Sequence, residues 1–165
     1  MFKLKSISKA GIPRALERAE RYRLLNEPRA AESICLDVLA IDPGSHVAQR
    51  TLLLALTDQF TSGAAARQME HAKQLLPKLG DYEQKYYAGI IAERFARYQL
   101  GVGHPGAGSS AYMYLCEAMQ YYEAAHKLAP EGNEEALLRY NTCVRTMAWH
   151  NLAPPADDEP ELPLE

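Results

Sequence analysis

Three groups of residues are of types that could carry chemistry. The string Gly101-x-Gly103-x-x-Gly106, just ahead of a helical apolar pattern, spells the phosphate-cradling turn of dinucleotide-binding proteins. That turn needs a strand before it and a βαβ unit around it, and neither pattern is written here. Amides at a helix start could still hold an anion, but the expectation is a plain flexible linker over residues 101–110. The five histidines (His46, His71, His104, His126, His150) contain no i, i+4 pair and no HExxH, so zinc chemistry is not expected. Cys35, Cys116 and Cys143 form no CxxC pair and read as buried free thiols filling space in helices. Ser109 and Ser110 stand in no GxSxG. No catalytic residue, cofactor or metal is expected, and the chain is not read as an enzyme.

Binding chemistry is better represented. Eight of the ten tyrosines lie between Tyr82 and Tyr122. Tyr86–Tyr87 and Tyr121–Tyr122 are adjacent pairs, and neighbours on a helix point apart. Some of the cluster should therefore reach the surface, where aromatics make good anchors. Tyr86, Tyr87 and Tyr121 form a candidate aromatic patch. The net charge of −3 hides a polarity: residues 1–30 hold eight Lys/Arg against three Glu, and residues 152–165 hold five acids and no base. The basic end suits an acidic partner or a membrane surface; the plainer reading is a solvated helix face with a short arm. A further expectation is that the acidic tail folds back over the basic N-terminal helix. No basic stripe persists past residue 30, so nucleic acid is not an expected partner.

These residues need elements to position them. With 165 residues, 47% hydrophobic and 24% charged, the composition is that of one globular domain. No apolar run approaches the roughly 18 residues of a membrane span. Lys3, Lys5 and Lys9 are followed by no signal-like apolar stretch, so no membrane insertion and a cytoplasmic location are expected. Pro43 and Pro77 each close a segment of similar shape, and Pro130 closes a third after a longer interval. The spacing of the first two prolines is a period of about 34 residues, which marks stacked helix pairs. Breakers and caps place pairs at 12–43, 45–77 and 81–130 and a last helix at 133–150, about seven helices in all. A basic arm (1–11) precedes them, and a disordered, proline-rich acidic tail (152–165) follows. The excess length of the third pair is assigned to a longer fifth helix plus the glycine-rich loop. Asp81 and Gln84 read as the capping box of that helix.

The pattern resembles the tetratricopeptide repeat. Ala19, Ala31, Ala65, Ala72, Ala118 and Ala125 match places of close helix approach, Tyr22 and Tyr122 match bulky positions, and the prolines match turns between repeats. The resemblance implies an all-α, right-handed superhelical solenoid of antiparallel helix pairs that binds a protein or peptide in a concave groove. The family's carboxylate clamp of Lys, Asn and Arg is met here by Leu16, Glu20 and Thr51, so a clamp is not expected. The groove candidates are Glu20, Arg23, Arg50, Leu54, Thr57 and Asp58, with Asn141 and Arg145 on the last helix. The leading functional expectation is an interaction module or scaffold. The alternatives are a small bacterial chaperone for secreted proteins and an isologous homodimer assembled through the tyrosine-rich third pair.

Overall fold

Helix starts and stops are written locally, and most elements follow them. In the computed structural model, which describes residues 2–61 and 63–155, the chain forms seven α-helices and no strand among those residues. They are α1 (Ile12–Leu24), α2 (Pro28–Ile41), α3 (His46–Thr57), α4 (Ala65–Lys73), α5 (Asp81–Val102), α6 (Ala107–Leu128) and α7 (Glu135–Trp149). Pro13 and Pro28 sit in the first turns of α1 and α2, where a missing N–H costs nothing. The Ser45 side chain accepts from the Ala48 amide at 3.4 Å and opens α3. Helix α5 starts differently from the expected Asp81/Gln84 box. Glu83 reaches back to the Gly80 amide at 3.4 Å, while the Gln84 side chain donates to the Leu79 carbonyl at 2.9 Å.

The glycine-rich segment is shorter than its composition implies. Gly101 and Val102 finish α5 and residues 107–110 already belong to α6, leaving a four-residue turn, 103–106. Gly103 (φ 65°) and Gly106 (φ 80°) take the left-handed conformation that lets the chain reverse so tightly. Glycine is a poor helix former but does not end a helix when packing favours continuation. The extra residues of the third pair therefore lengthen α5 and α6 to 22 residues each.

Each helix packs on the next, and the short connections fold it back on its predecessor. Contacts also run from α1 to α3 and from α3 to α5. The six alanines named above are all buried to 2% exposure or less, where helices cross closely. One core cluster gathers side chains from α1 to α5 and a second gathers α5, α6 and α7; Leu54, Tyr87 and Tyr114 touch both. Val47, whose place in the apolar pattern of α3 predicts burial, is exposed. Residues 2–8 carry no helix, and Phe2 and Leu4 stand in solvent ahead of a 3-10 turn at Lys9–Gly11. Among the described residues no helix is long and apolar enough to cross a membrane. From residue 156 onward the acidic tail, with its expected disorder and its contact to the N-terminal helix, lies outside the described residues.

Candidate functional site

Four helices (α1, α3, α5 and α7) bring charged side chains together by helical spacing. Glu20 and Arg23 share a face of α1 at i, i+3; Thr51, Leu54 and Asp58 share a face of α3; Glu93, Arg94 and Arg97 lie within about one turn of α5. The groove candidates on α1 and α3 meet and are largely spent on one another. Glu20 accepts from Thr51 Oγ1 at 2.7 Å and pairs with Arg23 at 3.2 Å. Arg23 Nε donates to Asp58 at 2.8 Å. Asp58 also takes Arg94, whose guanidinium donates to Thr57 Oγ1 at 2.6 Å and to the Leu54 carbonyl at 3.2 Å. Arg50 pairs with Glu83 at 2.9 Å.

Leu54 is not a groove lining of the kind expected, and Thr57, though it edges a cleft at the end of α3, is largely enclosed. Leu54 is half-buried between both cores, and Thr57 is buried with its hydroxyl donating to the Leu54 carbonyl at 2.9 Å. Asn141 is half-buried and Arg145 is exposed; neither joins the network. The tyrosine patch divides. Tyr86 stacks on Tyr82 at 5.7 Å and meets Tyr87 at 5.3 Å and Tyr122 at 6.0 Å, all as half-buried or buried packing. Tyr121 instead lines a cleft of about 210 Å³ beside Met69 and Leu76. Neither adjacent pair places a tyrosine fully in solvent, because α5 has neighbours on several sides and each direction meets another helix.

The residue that sequence reasoning missed is Glu93. It is 1% exposed, accepts the Tyr122 hydroxyl at 2.6 Å, accepts Arg139 of α7 at 3.2 and 3.3 Å, and pairs with Arg97 one turn on. A carboxylate taken out of water is costly unless its lone pairs are met, and here they are. Burial, then the Glu93 charge, pushes the Tyr122 phenol well above its ordinary range. Burial alone would lower Arg139, but Glu93 and then Tyr122 hold it above its usual value. Burial lowers Arg94; Asp58 opposes this, and Arg23, Arg139 and Arg97 add to the lowering, so four guanidiniums share one field. The only signal available in the sequence was the i, i+4 pair Glu93–Arg97, which usually marks a solvated face.

At the ends of α3 and α5 this array opens into a cleft of about 540 Å³. Its lining is Thr57, Phe60, Thr61, Arg94, Arg97, Tyr98, Gly101 and Val102. Among the described residues no carboxylate lines it. Asp58 and Glu93 hold the two arginines from beside the cleft, which orients their remaining N–H donors at little entropy cost when a ligand arrives. Such an arrangement can bind a carboxylate next to an apolar group. The glycine-rich turn offers no comparable site, since the His104 ring bonds Gln99 at 2.7 Å and the Pro105 carbonyl at 2.9 Å and serves to close the turn.

The cysteines differ from the expectation at one position: Cys35 and Cys143 are buried, but Cys116 is partly exposed. Burial, reinforced by Glu20, pushes the Cys35 thiol from 9.0 to about 12, and burial with Glu93 does the same at Cys143. Iodoacetamide at mildly alkaline pH should therefore modify Cys116 first, with Cys35 and Cys143 reacting only in urea. Peptide mass mapping checks this, and fast native labelling at Cys35 would contradict the burial.

Compared with protein-family models, curated proteins and solved structures, the chain matches none.

Proposed function

We propose that the chain is a protein-interaction module of stacked helix pairs that takes an acidic, partly apolar segment of a partner protein in the cleft at the ends of α3 and α5. The observation that carries this reading is the pair Arg94 and Arg97, each fixed by a carboxylate beside it and open to a cleft that no carboxylate lines among the described residues. Phe60, Tyr98 and the half-exposed Val102 supply apolar area next to that charge. The repeat reading draws support from the pairwise packing, from the α1–α3–α5 contacts and from the buried alanines at the crossings. Of the residues expected from sequence the proposed site keeps Thr57 of α3, and it takes its charge from Arg94 and Arg97 of α5.

The test is affinity capture from native lysate with wild type and Val102→Glu. Val102 is 49% exposed, so the substitution keeps the fold while adding a negative charge to the cleft. A partner held by wild type should fall at least tenfold in the variant, with an unchanged circular dichroism melt. Equal capture by both proteins would remove the cleft from the account. Leu54→Glu is a poor probe, since it would drive a charge between the two cores.

A further inference from the structure

We propose that the outer face of α7 is a self-association surface, on which a second copy of the chain lays its own α7 antiparallel. This face is separate from the cleft at α3 and α5. It is also not the tyrosine cluster of α5 and α6, where Tyr86 packs on Tyr82 and on the buried Tyr122.

Helix α7 is the last described helix, and it packs on α6 with one side. Ala136 and Cys143 are buried there, with Tyr140 and Met147 beside them in the same cluster. The opposite side is apolar for a surface. Trp149, the sole tryptophan of the chain, is 71% exposed and Leu138 is 63% exposed; Leu137 and Val144 are exposed as well. Seven-residue spacing sorts this side into three stripes. Glu134, Asn141 and Ala148 run along its middle, Leu137 and Val144 along one edge, and Leu138 and Arg145 along the other. That is the arrangement of a helix packed lengthwise on another helix.

The charges and the register select a second α7 as the occupant. When a twofold axis relates two antiparallel helices, each stripe meets its own copy. With the axis at Asn141, Leu137 of one copy stands within ~1.5 Å, one helical rise, of the level of Val144 of the other. Leu138 stands in the same relation to Arg145 of the other copy, whose aliphatic stem covers it. Glu134 lies ~4.5 Å further along the axis, within reach of that guanidinium. Neither Glu134 nor Arg145 has an ion pair among the described residues. A parallel pair would set Glu134 against Glu134 and Arg145 against Arg145, so the charges favour the antiparallel one. Asn141 falls on the axis, where two side-chain amides can exchange N–H···O bonds, and a polar residue in the middle of an apolar seam fixes register. A face 15 residues long is small. It measures ~22 Å by ~10 Å, which belongs to the transient class of interfaces.

Sedimentation equilibrium of the full chain should therefore show a monomer passing to a dimer with a Kd on the order of 10–100 μM. Arg145→Glu and Glu134→Arg each bring like charges together twice in the pair, so each should weaken the dimer by about tenfold or more. Both positions are exposed, and the circular dichroism melts should not change. The double variant Glu134→Arg/Arg145→Glu should recover to within about threefold of wild type, because only antiparallel self-pairing lets the swapped charges meet. Weakening in both single variants without recovery in the double would reject this pairing. A dimer unmoved by either single variant would place the interface elsewhere and overturn the proposal. A chain still monomeric at ~500 μM would overturn it too. Iodide quenching of Trp149 in that monomer would then tell a face left open to a foreign partner from one covered within the chain, and either result rejects a second copy.

Discussion

Glu93→Ala should lower the unfolding free energy by about 3–5 kcal/mol, the usual cost of removing one member of a buried charge network. The substitution leaves the Tyr122 hydroxyl without its acceptor in a site of no solvent access, and leaves Arg139 and Arg97 facing each other without the carboxylate between them. In a domain of this size the midpoint of thermal unfolding should drop by about 10 °C. Glu93→Gln keeps an acceptor for Tyr122 and should fall between the two. Urea titrations of the three proteins measure the order. A Glu93→Ala protein as stable as wild type would mean that the carboxylate is hydrated and the network is not a structural centre. The same position bears on the cleft, because Arg97 loses the carboxylate that holds it.

The second large effect belongs to Gly89. Helices α5 and α6 approach so closely that a Cβ on Gly89 would stand 2.5 Å from Cε1 and 2.7 Å from Cδ1 of the Tyr122 ring. That ring is fully buried, and its hydroxyl is tied to Glu93, so it has nowhere to retreat. In an exposed helix Gly→Ala gains about 1 kcal/mol. Here overpacking should outweigh that gain and leave Gly89→Ala about 2–3 kcal/mol less stable. The cause is tested by repeating the substitution in a Tyr122→Leu background, where the added methyl meets a smaller side chain and its cost should shrink by at least half. An undiminished cost would trace the loss to something other than the ring.

These two positions show why part of this protein is legible in its sequence and part is not. Gly89 sits inside an otherwise good helix pattern, where a lone glycine has many explanations and none stands out. Its reason lies on the next helix, in Tyr122, a residue whose place in the pattern does predict core. Adjacent tyrosines diverge, which predicts that some reach the surface. The divergence is real, but α5 is enclosed by α4, α6, α7 and the end of α3, so both directions lead into packing. Composition alone predicts a loop over the whole glycine-rich segment 101–110; packing of two 22-residue helices confines it to the turn 103–106.

The sequence by itself determined the all-α class, the number of helices, most of their starts and stops, and the small residues at their crossings. Prolines, capping side chains and 3–4 apolar spacing act within a turn or two of where they are written. Only the tertiary structure decided which charges pair with one another and which stay at the surface. Arg23 meets Asp58 across 35 positions, Arg94 meets Asp58 across 36, and Arg139 meets Glu93 across 46. Local pattern makes each of these residues a member of a polar helix face. Burial between α5, α6 and α7 turned that face into a carboxylate at 1% exposure, with the arginines ordered around it and, at its edge, a cleft that no acid lines among the described residues.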